Sequence, residues 1–238
     1  MIDAKKLLEQ FLGSQVPGVG GTVKDRAGDA IQMAKDNPWK AGALATVLLG
    51  TKAGRSIAGN ALTIGGLAAI AGLGYQAYKN YQAGQAPATP SDAPPPRTAV
   101  LPPPADSGFG TGSPAQSNEF VLVLIRAMIA AAKADGHVND EERALILEKI
   151  RAADVAAEAA FFIERELSQP TDLDALVAAA ETEEQRVELY TASRLTIEPD
   201  SRAERGYLDL LAGRLGLPDA LVDHIEATVS SAKVTLSQ

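Results

Sequence analysis

A proline-rich segment constrains how the rest of this chain can be organised. Nine of the 14 prolines fall within residues 85–117, in runs such as Pro94-Pro95-Pro96 and Pro102-Pro103-Pro104, among Ala, Ser, Gly and Thr. Such a stretch carries too little apolar surface to offset the entropy of ordering, and its proline runs favour extended polyproline II. It also separates regions of opposite charge. Residues 1–84 hold nine bases against five acids and 14 of the 21 glycines, whereas residues 118–238 hold 12 bases against 23 acids. The expected organisation is a basic, partly amphipathic segment at 1–55, an apolar helix at 56–78, a Pro/Ala-rich disordered linker at 79–117 and an acidic helical domain at 118–238.

Composition removes several function classes. With no cysteine, a disulfide scaffold and a thiolate-ligated metal are excluded. The net charge of −8 argues against nucleic acid as a partner. Only His137 and His224 are available for histidine chemistry, so no three-histidine site can form within one chain. Phosphate-binding loops, dinucleotide fingerprints, Gly-x-Ser-x-Gly and His-Glu-x-x-His are all absent, which predicts a non-enzymatic protein. His224, between Asp223 and Ile225, is expected on a helix surface or half buried, with no nucleophile beside it.

From Ser56 to Tyr78 run 23 uncharged residues, SIAGNALTIGGLAAIAGLGYQAY. At 1.5 Å per residue a helix of that length reaches about 34 Å, enough for a hydrocarbon core of about 30 Å. The expectation is a single-pass membrane protein, with Tyr75, Tyr78 and Tyr81 as interfacial anchors. Lys35, Lys40, Lys52 and Arg55 precede the span, so the positive-inside rule puts the N-terminus in the cytoplasm and the acidic domain outside the cytoplasmic face. Small residues four apart (Ala61 and Gly65, Gly65 and Ala69, Ala68 and Gly72) offer a face for a homo-oligomer. The competing reading is a buried, glycine-rich helix, since small residues permit close packing with or without lipid. Ahead of the span, Ile2, Leu7, Leu8, Phe11 and Leu12 form a short amphipathic pattern, suited to a membrane surface, a partner or the chain's own core.

The acidic region is predicted all-α. Its apolar residues recur at three and four, as in Val121, Leu124, Ile125 and Met128. Start signals stand at Asn139/Glu142, Thr171/Asp174, Thr182/Gln185 and Ser201/Glu204, and stops at Gly136, Gln169-Pro170 and Gly216. They divide it into about seven helices, near 118–135, 140–153, 154–168, 172–180, 183–197, 202–215 and 218–234. The junctions around Asn139 and Ser201 resemble each other and suggest a duplicated hairpin.

The AlaAspGlyHisValAsnAspGluGluArg motif at 134–143, and the IleGluProAspSer-x-AlaGluArg pattern at 197–205, resemble the TerB-like, tellurite-resistance-associated helical domain. With a glycine-rich hydrophobic N-terminal half, the chain is similar to the YebE-type family of bacterial inner-membrane proteins, a domain-of-unknown-function group. The resemblance implies a helical domain on one membrane anchor, an envelope- or metal-stress association and no established enzymatic activity. It also singles out Asp135 and Glu142.

Asp135, His137 and Glu142 are the candidate metal ligands. Together with Asn139, Asp140 and Glu141 they crowd hard donors into eight residues, fit for a divalent cation. The EF-hand template fails, with Asp140 where glycine is needed and Ile146 where the bidentate glutamate belongs. The same residues also suffice as caps, Gly136 ending one helix and Asn139 with its acids starting the next. Glu198, Asp200 and Glu204 at the second junction could complete a site if the hairpins pack together. The function expected is a tethered helical module binding a protein partner or a divalent ion. The alternatives are a metal-dependent enzyme with an acidic site near Asp135, and a structural oligomer assembled through the glycine-rich segment.

Overall fold

The computed structural model describes residues 2–5, 7–8, 66–87, 103–110, 113–134 and 157–236. Among them are seven α-helices and no strand: α1 Gly66–Gln82, α2 Asn118–Ala132, α3 Ala157–Ser168, α4 Leu173–Ala178, α5 Glu183–Thr196, α6 Arg202–Leu215 and α7 Asp219–Leu236, with a 3-10 turn at Pro114–Gln116. The all-α expectation holds.

Helix α5 is the hub. It packs against α1, α2, α6 and α7, and α1 packs also on α7. Ten of its 14 residues are buried, including Gln185, Glu188, Thr191, Ser193, Arg194 and Thr196. A helix this polar tolerates burial because most of those groups find partners. Thr191 and Thr196 donate to the carbonyls of Val187 and Ala192, one turn back. Arg194, 3% exposed, donates to Glu226 Oε2 of α7 at 2.5 Å, to the Ile197 carbonyl at 2.9 Å and to Ser230 Oγ at 3.1 Å. Tyr190 donates to the other Glu226 oxygen at 2.8 Å, and burial together with that carboxylate raises the phenol pKa. One fully buried carboxyl, Glu188, has neither oxygen hydrogen-bonded.

The expected single-pass span at 56–78, and with it the inner-membrane localisation, is overturned. Among the described residues no helix is long and apolar enough to cross a membrane. Residues 56–65 lie outside the described set. The remainder belongs to the 17-residue α1, which is covered by protein. Leu67, Ala69, Ile70, Ala71, Gly72, Leu73, Gly74 and Ala77 are buried around most of its circumference. A helix apolar all round is the signature of burial in either solvent, protein or lipid. At Gly74 the approach is close: a Cβ there would stand 3.3 Å from Val187 Cγ1 and 3.5 Å from Thr191 Oγ1 on α5. The tyrosines expected at a lipid interface are packing residues. Tyr75 and Tyr78 lie 5.9 and 5.7 Å from the Phe109 ring, and the Tyr78 hydroxyl donates to Glu183 at 2.9 Å.

Phe109 comes from the segment expected as linker. Residues 104–110 form consecutive turns, Ser107 N–H bonding Pro104 O and Gly110 N–H bonding Ser107 O, that drive the ring into the core, 2% exposed. Only glycine fits at 110, where a Cβ would fall 2.4 Å from the Ala105 carbonyl oxygen. The N-terminal apolar residues pack on their own chain. Ala4, Leu7 and Leu8 are buried, and the Asn118 side-chain amide both accepts from Ala4 N–H (2.8 Å) and donates to Ile2 O (3.1 Å). One core therefore takes in residues on both sides of the boundaries expected at 78/79 and 117/118.

The caps follow the sequence closely. Thr182 with Gln185 and Ser201 with Glu204 form full capping boxes. At the start of α4 the cap is Asp172, one residue after the expected Thr171, accepting from Ala175 N–H. Gly84 and Gly216, both at positive φ, close α1 and α6 with the paired 6→1 and 5→2 bonds of a Schellman motif.

Candidate functional site

Asp135, His137 and Glu142, with Asn139, Asp140 and Glu141, lie outside the described residues. Of the second junction, Glu204 spends Oε2 on the Ser201 N–H of its capping box at 3.0 Å. Among the described residues no group of three or more His, Asp or Glu side chains is placed to hold a metal ion. His224 is buried, deeper than the surface or half-buried position expected. Its Nε2 meets the Gln85 carbonyl at 3.0 Å and its ring packs edge-on to Tyr81. The turn closing α1 presents that carbonyl, so His224 fastens α1 to α7.

The open feature with converging charge lies at the other side of α5's neighbours. Helices α2, α3 and α4, with the 169–172 turn, enclose a cleft of about 240 Å³. Its apolar wall comes from Val123, Ile129 and Ala130 of α2 and Leu176 of α4. Arg126 interrupts the otherwise uncharged run Phe120–Ala132, and the helical repeat carries it to the rim of the buried face. Across the cleft Arg165 projects from α3.

Glu166 joins the two arginines. Its Oε1 accepts from Arg126 Nε and from an Arg165 terminal nitrogen, each at 3.1 Å. Both guanidiniums also stand over the Phe162 ring, at 5.2 and 5.9 Å from its centroid. Lys133, just past α2, donates to the carbonyls of Glu166 and Gln169. It thereby satisfies acceptors left open at the end of α3. Burial lowers the Lys133 pKa, with the Glu166 carboxylate opposing that shift. Two guanidiniums thus share one carboxylate, with a third cation on the neighbouring backbone carbonyls, in a region whose 118–238 sequence is strongly acidic.

Sequence reasoning passed over this cluster. The available signal was Arg126 itself, the single charge in a run of thirteen residues.

Comparison with known proteins places the chain. Residues 35–229 match the family model described as "Protein of unknown function (DUF533)". The chain is a DUF533 protein. The match runs through the proline-rich segment, which agrees with a core shared by residues on both sides of it. This DUF533 chain is also 31% identical to the "Uncharacterized protein in ampR 5'region" of Yersinia enterocolitica, over 120 residues that are 50% of this chain and 86% of that protein. No solved structure matches.

Proposed function

We propose that this DUF533 protein is a non-enzymatic helical module that binds a protein partner through the cleft between α2, α3 and α4. The carrying observation is the Arg126–Glu166–Arg165 bridge beside an apolar wall, an arrangement of fixed charge and dry surface suited to recognition. The TerB-like resemblance of residues 134–143 and 197–205, and the YebE-type resemblance of the chain, support a module with no chemistry of its own. A photo-crosslinking residue placed at Ala175, exposed on the cleft, should yield a discrete adduct in cells. The same residue at Asp223, exposed on α7, should not. Equal labelling at the two positions, or none at Ala175, refutes the assignment.

A divalent cation at Asp135, His137 and Glu142 is a second reading, favoured by the density of hard donors in that stretch. Titration calorimetry of the full chain with Ca²⁺, Mg²⁺, Mn²⁺ and Zn²⁺ tests it. Heat that disappears in Asp135→Asn supports the ion, and no heat with any of the four removes it.

A further inference from the structure

We infer that the α2–α3–α4 cleft takes an acidic, amphipathic segment of a protein partner, a carboxylate seating on Arg126 and Arg165 and an adjacent apolar side chain on the exposed Pro170 and Ala175. The inference deepens the binding-module reading and rests on it.

The charge is prearranged. A guanidinium offers five N–H donors, and each arginine places one on Glu166 Oε1. The shared carboxylate and the Phe162 face hold both groups in register while their side chains stay 37% and 44% exposed. The outer N–H groups are thus available to oxygen acceptors in the fork geometry that matches a carboxylate. Lys133 adds positive potential, but its ammonium is occupied by the α3 carbonyls.

The wall selects the kind of anion. The exposed apolar lining of the cleft comes from Pro170 and Ala175, with Val123, Ile129 and Leu176 buried beneath it, and a small inorganic anion would leave that edge against water. A peptide with an apolar residue beside its acid covers that edge and gains the hydrophobic term. The rest of the C-terminal region works in the same direction. Its 23 acids against 12 bases repel an acidic partner over most of the surface, whereas in the cleft Arg126, Lys133 and Arg165 outnumber Glu166 and Asp172.

Fluorescence anisotropy on the full chain tests the inference, with a labelled twelve-residue peptide of alternating Asp and Leu as the probe. The expected result is saturable binding, weakened at least tenfold when Asn replaces every Asp, and competed poorly by inorganic phosphate or oligo-aspartate. The double variant Arg126→Gln/Arg165→Gln should lose at least tenfold in affinity. So should Ala175→Glu, which puts a negative charge on an exposed cleft residue without touching the arginine bridge or its packing. No binding of the Asp-Leu peptide overturns the inference, as does unchanged affinity in Ala175→Glu. Equal competition by phosphate or oligo-aspartate also overturns it, by showing a general anion site. An Ala175 crosslink to a partner that survives the arginine double variant removes this inference and leaves the binding module standing; loss of every Ala175 crosslink in the parent chain removes both.

Discussion

Replacing Glu188 with methionine should stabilise the protein, by an amount that grows with pH. Glu188 sits in the middle of α5, fully buried, with neither carboxylate oxygen hydrogen-bonded. Burial, reinforced by the Glu184 carboxylate one turn earlier, lifts its pKa well above the ordinary 4.5. The folded chain therefore keeps this proton at a pH where the unfolded chain has released it. Below about pH 4.5 both states hold the proton and the group adds no pH dependence. As the pH rises from there towards the folded-state pKa, stability falls by about 1.4 kcal/mol per unit, and above that pKa the loss is complete. Methionine has similar length and no charge, so the variant escapes this loss. It also removes two unsatisfied polar atoms, worth about 1–3 kcal/mol at every pH. For a chain of this size each pH unit in the window corresponds to roughly 3–6 °C in Tm. Thermal melts of both proteins from pH 4 to pH 8 measure the difference directly, because groups common to the two cancel. Glu188→Gln should flatten the difference in the same way while lacking the static gain. A melting difference that stays constant or shrinks from pH 4.5 upward, or a methionine variant less stable at pH 7, would refute the reasoning.

Two further substitutions probe what ties the helices together. Glu226→Ala leaves the Arg194 guanidinium buried without its carboxylate and should cost about 3–5 kcal/mol in urea denaturation, more than an exposed ion pair such as Arg214–Asp174 on the surface. Phe109→Ala empties the space between Tyr75 and Tyr78 and should cost about 3–5 kcal/mol by the same measurement, whereas a segment acting purely as a spacer would tolerate the change.

The helices of the C-terminal region were legible because their ends are written in local chemistry. Thr182, Ser201 and Gly216 act at the positions their residue types suggest, through bonds that reach only three to five residues along the chain. Even the slip at α4, from Thr171 to Asp172, moves a cap by one position without changing the element. What pattern could not give was the identity of the medium around an apolar helix. Leu67–Ala77 has the same side chains whether lipid or α5 and α7 surround it, and length, the basic flank and the grouped tyrosines tipped the expectation towards lipid. Phe109 was hidden for a related reason. One aromatic residue in a proline-rich stretch carries no period, and its burial depends on turns that bring Gly110 against Ala105. The Arg126–Glu166–Arg165 bridge joins residues 40 positions apart on different helices, and only the packing of α2 on α3 brings them together.

The placement of α1 has a consequence during synthesis. Its partners α5 and α7 lie far downstream, the last residue of α7 following Gln82 by about 150 positions. At roughly 5–20 residues per second, some 8–30 s separate translation of the glycine-rich helix from completion of the surface that covers it. Until then an apolar helix has left the ribosome's active centre without its full intramolecular shelter, α5 being complete about 40 residues before α7. The nascent chain must therefore pass through a stage when it is vulnerable to self-association or capture by chaperones, and that hazard ends only when the last helix is made.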